Sequence, residues 1–302
     1  MCSRLYNFFY VTKYFFVSSG MDFLSWWQTL PSKMDPILVS IGPLTIYWYS
    51  TMYLVAFGIV YLLCCRQIKN NSFNEINLEQ FEDLLSWCFI GLLIGARFGY
   101  VFFYNFEYYF SNPLEILLPF KYYNGSWIFT GIAGMSYHGG VLGVVTAIWL
   151  FSRKVKLHLF VLADFLTAAI PLGYFFGRIG NFINGELYGR VTESYIGMYF
   201  PNAGDQSLRH PSQLYEALFE GIILYAIINF FNKHNKLGFN SGLYVFGYGF
   251  FRFCIEYFRE PDAHLGFIFF NLSMGQLLCI AMMLGGMYIW YVGNKETVKA
   301  QT

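Results

Sequence analysis

The side chains able to do chemistry gather where apolar runs end. Residues 177–189 read G-R-I-G-N-F-I-N-G-E-L-Y-G and follow the apolar run Leu159–Phe176 with no polar linker. Arg178 and Asn181 stand three apart at the head of this stretch, Glu186 lies within it and Gly189 closes it. A guanidinium at the margin of hydrocarbon is costly unless it meets an anion or snorkels to water. A glycine-rich turn beside it exposes backbone N–H groups, which also favour anions. The chemistry indicated is the binding of a negatively charged group at bilayer depth.

Other stretches add to it. Arg97 sits in an apolar run among Gly91, Gly95 and Gly99. Glycines every four residues flatten one helix face and let a neighbour approach. Packing explains those glycines but not Arg97. Residues 137–143 read Y-H-G-G-V-L-G. His138 has two readings: a hydrogen bond to a neighbouring helix, or proton transfer, which its unperturbed pKa of about 6.5 suits. The glycines beside it thin the helix and make room for a ligand or a close neighbour. Tyr248, Arg252, Glu256 and Arg259 follow at spacings that place them on one helical face. Glu256 either forms a structural ion pair with Arg252 or orients Arg252 towards an anion, with Tyr248 as a donor one turn away. His210 and Glu216, in H-P-S-Q-L-Y-E, either line the same cavity or begin a helix capped near Ser212. Ser273, Gly275 and Gln276 are read as packing.

These residues converge on a phosphate-bearing lipid. The planar fork of arginine matches phosphate oxygens bidentately. Structural glue alone would not need so many cations with so few acids to balance them.

The elements that position these groups are membrane helices. The chain of 302 residues is 56% hydrophobic, 22% aromatic and 12% charged, whereas soluble domains carry about 25% charged residues. A net charge of +1 implies no basic surface for nucleic acid. Five of the six cysteines, Cys64, Cys65, Cys88, Cys254 and Cys279, lie in or beside apolar runs and Cys2 does not. None has zinc spacing, and they read as small apolar side chains.

Windows of about 20 apolar residues give an all-α polytopic protein of about seven transmembrane helices. The expected spans are Thr45–Cys65, Leu84–Tyr104, Ile132–Phe151, Leu159–Gly177, Ser212–Phe231, Ser241–Phe258 and Leu272–Val292. Lys/Arg-rich loops follow the first, third, fifth and last spans. Such loops stay cytoplasmic, which puts the N-terminus out and the C-terminus in. Residues 181–211 then form an outer head between spans four and five. Near alternation of Val191, Tyr195, Ile196, Met198 and Phe200 suggests strands within it. Pro113–Phe120 is expected as a short amphipathic arm in the interface. The domains expected are an N-terminal extension, 1–36, outside the fold, with Met21 and Met34 as other candidate starts; a transmembrane domain, 37–295; and a cytoplasmic tail, 296–302.

With these motifs in order, the sequence resembles the prolipoprotein diacylglyceryl transferases of bacteria from about Ile41 to Val292. The most specific match is residues 177–189, similar to the family signature G-R-x-G-N-F-x-N-x-E-x-x-G. Tyr137–Gly143, Gly95-Ala96-Arg97 with Gly99-Tyr100, His210–Glu216 and Tyr248–Asp262 supply the others. The N-terminal extension is the departure. The resemblance implies an inner-membrane enzyme, its active site towards the periplasm, that needs no metal or cofactor. It would move the diacylglyceryl group of phosphatidylglycerol to the lipobox cysteine in the signal peptide of a prolipoprotein, forming a thioether and releasing glycerol phosphate. It also implies that Arg178 binds phosphatidylglycerol, that Arg252 is a second essential arginine, and that His138, Asn181, Gly189 and Tyr248 matter for activity. Arg97 joins the expected lipid-binding set and Glu256 the expected catalytic set.

The residues agree with this chemistry. A phosphate leaves readily when fixed cations such as Arg178 and Arg252 stabilise its charge in a water-poor site. The incoming thiol must become a thiolate, and His138 is the candidate base. A phospholipid or anion transporter would use the same arginines, but no second copy of the glycine-rich signature marks an internal repeat. An intramembrane hydrolase would need an activated serine, paired aspartates or HExxH, and none is evident.

Overall fold

The computed structural model describes residues 22–42, 44–116, 120–123, 126–129, 134–231, 236–260, 267–269 and 272–301. The chain divides into two compact units, Cys65–Phe165 and the remainder, Met1–Cys64 with Leu166–Thr302. The expected Pro261 and Asp262 of the last motif lie outside the described residues.

The architecture is mostly helical. The principal helices are α1 (Trp48–Lys69), α2 (Leu78–Tyr104), α3 (Tyr137–Val155), α4 (Leu159–Thr167), α5 (Ile170–Ile183), α6 (Ser212–Phe231), α7 (Phe239–Ile255) and α8 (Met274–Gln301). Among the described residues four short two-stranded antiparallel hairpins accompany them, and the all-α expectation holds. Many large apolar side chains on α1, α2 and α8 face outward, as a multi-pass membrane protein requires.

By length and apolar content α1, α2, α6 and Met274–Val298 can each cross a membrane, and α4 with α5 makes a fifth if that bent pair is one span. Among the described residues the expected seven reduce to four or five on this measure. Helix α7 has only 17 residues, and α3 dilutes its apolar run with His138, three glycines and two basic residues. The α4–α5 break bends by 47°. Pro171 stands in the first turn of α5, where its missing N–H costs nothing, so the chain restarts there as a new helix.

In the 65–165 unit, α2 begins with a capping box between Asn77 and Gln80. Ser136 caps α3 by accepting the Gly139 N–H at 3.2 Å. The glycine stripe of α2 lies against the glycines of α3: a Cβ on Gly91 would fall 2.6 Å from Gly143 O. Of the expected arm, Pro113–Phe120, Pro113–Ile116 is a 3-10 turn, Phe120 opens a strand and residues 117–119 lie outside the described residues; a short helix, Phe106–Ser111, precedes it and the hairpin Phe120–Tyr123 with Ser126–Phe129 follows.

In the other unit, α7 packs closely on α8 through Gly242 and Gly286. Ala168, Leu224 and Ile228 are enclosed with Leu243, Tyr244, Tyr248 and Phe251 of α7 against them. The head contains the expected strands, Met198–Tyr199 paired with Leu208–Arg209. Its core is Phe182, Met198 and Phe200, and Trp27, Leu30 and Met34 pack onto it. Trp27 Nε1 also donates to Ile196 O at 3.2 Å. Residues 22–36 are therefore part of the fold, against the expectation that everything up to Pro36 lies outside it. The apolar side chains of that stretch find a partner only in a segment far along the chain. The expected tail is helical too, since α8 runs on to Gln301.

Candidate active site

The site is organised by one carboxylate. Glu216, on α6, is wholly enclosed, and three arginines from different segments converge on it. Arg178 Nε of α5 stands 2.6 Å from Glu216 Oε2. Arg252 Nη1 of α7 stands 2.8 Å from Oε1, and Arg259 Nη1, just past α7, 3.2 Å from the same oxygen. Each arginine side chain remains about one-sixth exposed (16, 17 and 16%), whereas that of Glu216 shows 0%. The cations therefore present an accessible edge with the acid behind them.

Local sequence explains how each arginine is held. Tyr174 lies one turn before Arg178 on α5; its hydroxyl accepts from Arg178 Nε at 2.7 Å, and the guanidinium also covers its ring at 4.8 Å. Arg178 Nη1 donates to Asn181 Oδ1 at 3.2 Å, and Asn181 Nδ2 donates to Glu186 Oε1 at 2.8 Å. On the α7 side, Glu256 Oε2 stands 3.5 Å from Arg252 Nη2 and 3.7 Å from Arg259 Nε. Ser273 Oγ steadies Glu256 by donating to its Oε1 at 3.2 Å. The one-face spacing read from the sequence thus brings Arg252, Glu256 and Arg259 together. Tyr248 joins them edge-on to Tyr174, ring centres 5.6 Å apart. Tyr174 donates in turn to Glu220 on α6. Glu216 caps and Glu220 lies within a π-helical segment, Ala217–Ile223, a distortion common at functional sites.

Several expectations change. Residues 177–183 are helical, continuing α5, and the turn begins only at Asn184. The backbone N–H groups of Asn184, Gly185, Glu186 and Gly189 donate to protein carbonyls, so they do not form an anion nest. Gly189 N meets His210 O at 2.8 Å, and a Cβ there would fall 2.9 Å from His210 Cβ. Its lack of a side chain lets that strand pair closely. Ser212 does not cap α6; its hydroxyl donates to Leu187 O at 2.9 Å. His210 turns to Tyr215, Nδ1 to OH 3.1 Å. Glu216, Glu220 and Glu256 are enclosed beside Arg178, Arg252 and Arg259. Of these acids the sequence reading named Glu216 and Glu256 and passed over Glu220.

Arg97 and His138 belong to the 65–165 unit. Arg97 is 8% exposed. Its Nε donates to Ile116 O at 2.7 Å, Nη2 to Glu115 O at 2.6 Å and Nη1 to Gly134 O at 3.2 Å, while Tyr109 covers it at 4.9 Å. His138 is exposed in the first turn of α3. Sequence reasoning missed Tyr174 and Glu220, and it noted Glu216 and Arg259 without placing them in the site. The signal was present: two acids four apart in an apolar run, and a tyrosine four before an arginine. Among the described residues no group of three His, Cys, Asp or Glu side chains could hold a metal ion.

Chemically, two or three guanidiniums with shared edges in a water-poor setting can grip an anion and stabilise growing negative charge. Comparison with known proteins agrees with that chemistry. Residues 36–292 match the family described as prolipoprotein diacylglyceryl transferase. The phosphatidylglycerol–prolipoprotein diacylglyceryl transferase of Chlorobaculum tepidum is 53% identical over 270 residues, covering 89% of this chain and 93% of its own. Those of Idiomarina loihiensis and Rickettsia bellii are each 45% identical, covering 90% and 87% of this chain and 97% and 96% of theirs. The chain belongs to the prolipoprotein diacylglyceryl transferase family.

Proposed function

We propose that this protein transfers the diacylglyceryl group of phosphatidylglycerol to the cysteine thiol of a prolipoprotein. The single observation that carries the residue-level reading is the pair Arg178 and Arg252, held from two helices on one enclosed carboxylate with their edges accessible. These edges take the phosphate of phosphatidylglycerol. The cysteine sulfur, as thiolate, attacks the glycerol carbon bonded to the phosphate oxygen. A C–S bond forms, the C–O bond breaks, and the phosphate leaves on its other glycerol as glycerol phosphate. The arginines stabilise the charge that gathers on the departing oxygens. His138 accepts the thiol proton, for which a neutral imidazole is suited. Tyr174, Asn181, Tyr248 and Glu256 hold the arginines, and Gly189 admits the head strand that closes beside them. Arg97 serves by fixing the arm through its three carbonyl contacts.

In this reading α3 and α7 also cross the bilayer, giving seven spans. Lys/Arg at the C-terminal ends of α1, α3 and α8 and after α6 then places those ends in the cytoplasm and the head in the periplasm. The membrane is the bacterial inner membrane, where prolipoproteins emerge.

Purified protein incubated with labelled phosphatidylglycerol and a lipobox peptide tests the reading. The expected product is a thioether-linked peptide with one glycerol phosphate per turnover. Lipid movement between leaflets without thioether would replace it with a transporter.

A further inference from the structure

The three carboxyl groups of the arginine cluster are not equivalent. Glu216 meets three guanidiniums and Glu256 two. Glu220 is as enclosed as Glu216, at 0% exposure, and lies within 4 Å of no cation among the described residues. Its Oε2 accepts from the Tyr174 hydroxyl, and its Oε1 has no hydrogen-bond partner. A carboxylate shut away from water with a single phenol for company is a costly arrangement, and a bound proton removes most of that cost. The groups that face Glu220 are Tyr174 and Arg178 from α5, Tyr248 and Arg252 from α7, Cys279 from α8, and Glu216 one turn before it on α6. Both of these arginines are drawn to Glu216, and the charge of Glu216 itself opposes a second carboxylate so near.

We infer that Glu220 holds a proton in the working protein, so that the three arginines face only two carboxylates and keep one positive charge for a singly charged phosphodiester. This rests on the reading of the arginine edges as the phosphate site. Glu220 touches no substrate. It is a positioning residue: it sets the charge behind the arginines and, through the Tyr174 hydroxyl, fixes the Nε edge of Arg178. No bond is made or broken in this role. Its consequence is a pH limit. When alkali removes the proton, the new charge cancels the surplus on the arginines and phosphatidylglycerol binds less well.

The test is binding of a short-chain phosphatidylglycerol to the full-length protein in detergent, without peptide, from neutral to alkaline pH. Wild-type affinity is expected to fall about tenfold, the order of one lost charge interaction at about 12 Å and an effective dielectric of about 20. Glu220→Gln, which is isosteric and permanently neutral, is expected to lose the pH dependence, its affinity staying level from neutral pH into alkali. An affinity of Glu220→Gln that falls in alkali as the wild type's does would overturn the inference, as would a flat wild-type profile. A purely structural role would not abolish the pH dependence. Infrared spectra of wild type give a readout free of lipid and of folding of the variant: a neutral-carboxyl carbonyl band, lost in alkali, is expected, and its absence at neutral pH overturns the inference. Should wild type bind no phosphatidylglycerol at any pH, the phosphate-site reading fails while the infrared result still decides the proton.

Discussion

Arg178 and Arg97 are both arginines inside apolar helices, yet the fold employs them in opposite ways. Arg97 gives its Nε and both terminal nitrogens to backbone carbonyls of its own unit and is covered by Tyr109. It closes an arm. Arg178 has its Nε edge anchored on Glu216 and Tyr174 and stays partly accessible. Arg252 and Arg259 share that arrangement. A buried cation is affordable either way. Only a carboxylate behind it, with an open edge in front, leaves it able to take up another anion. The difference between a binding arginine and a structural one lies in which donors are already engaged.

Several measurements can break or sharpen this contrast. The largest effect is expected at the hub. Glu216→Gln leaves three guanidiniums without their shared charge, and breaking such a buried pair costs about 3–5 kcal/mol. The unfolding midpoint in a denaturant titration should fall accordingly; a wild-type midpoint would show that the arginines are held by something else. Arg178→Lys keeps the charge but loses the fork, so transfer should slow by about 10²–10³-fold, the scale for losing one stabilising donor at a developing anion. Full activity there would erase the distinction from Arg97. His138→Gln should slow transfer about hundredfold, as for a lost general base, with phosphatidylglycerol affinity intact. Lost lipid affinity would instead make His138 a binding or packing residue.

Arg97→Lys sits on the other side of the comparison. It should destabilise by about 1–3 kcal/mol as the Glu115, Ile116 and Gly134 carbonyls lose donors, and open residues 105–116 to proteolysis. A loss of lipid affinity with the arm still protected would move Arg97 into the binding set. The smallest effect belongs to the head. Burial holds the His210 imidazole below its ordinary 6.5, because enclosure disfavours the charged ring. Unfolding releases it to take a proton, so its stability contribution is complete above about pH 6.5 and is lost below that, as the pH falls through the lower folded-state value. Thermal unfolding between pH 7.5 and pH 5 should show a slight decrease that His210→Asn removes.

Much of the site was legible because its local spacing survives folding. Arg178 and Asn181 three apart do hydrogen-bond, and Arg252 with Glu256 four apart do approach. The glycine stripe of α2 does meet another helix. Helical periodicity fixes such neighbours before any tertiary contact forms. The turn chemistry of residues 177–189 was misjudged for a related reason. Glycines there signalled an irregular loop, but close helix contacts, not turns, require some of them: a Cβ on Gly180 would crowd Met52 of α1. Composition counts also misled, since acids spaced along α6 do not appear next to the arginines they neutralise.

The sequence alone determined the membrane class, the family motifs and the short-range pairs, because apolar run length and i, i+3 or i, i+4 spacing depend only on the chain's own geometry. The tertiary structure alone decided that Glu216 is the hub, that Glu220 makes no ion pair within 4 Å among the described residues, and that residues 22–36 complete the head. Glu216 meets Arg259 across 43 residues, and Tyr174 meets Glu220 across 46. Separations of that length carry no periodic signal, and only the packing of α5, α6 and α7 against one another brings those charges to one point.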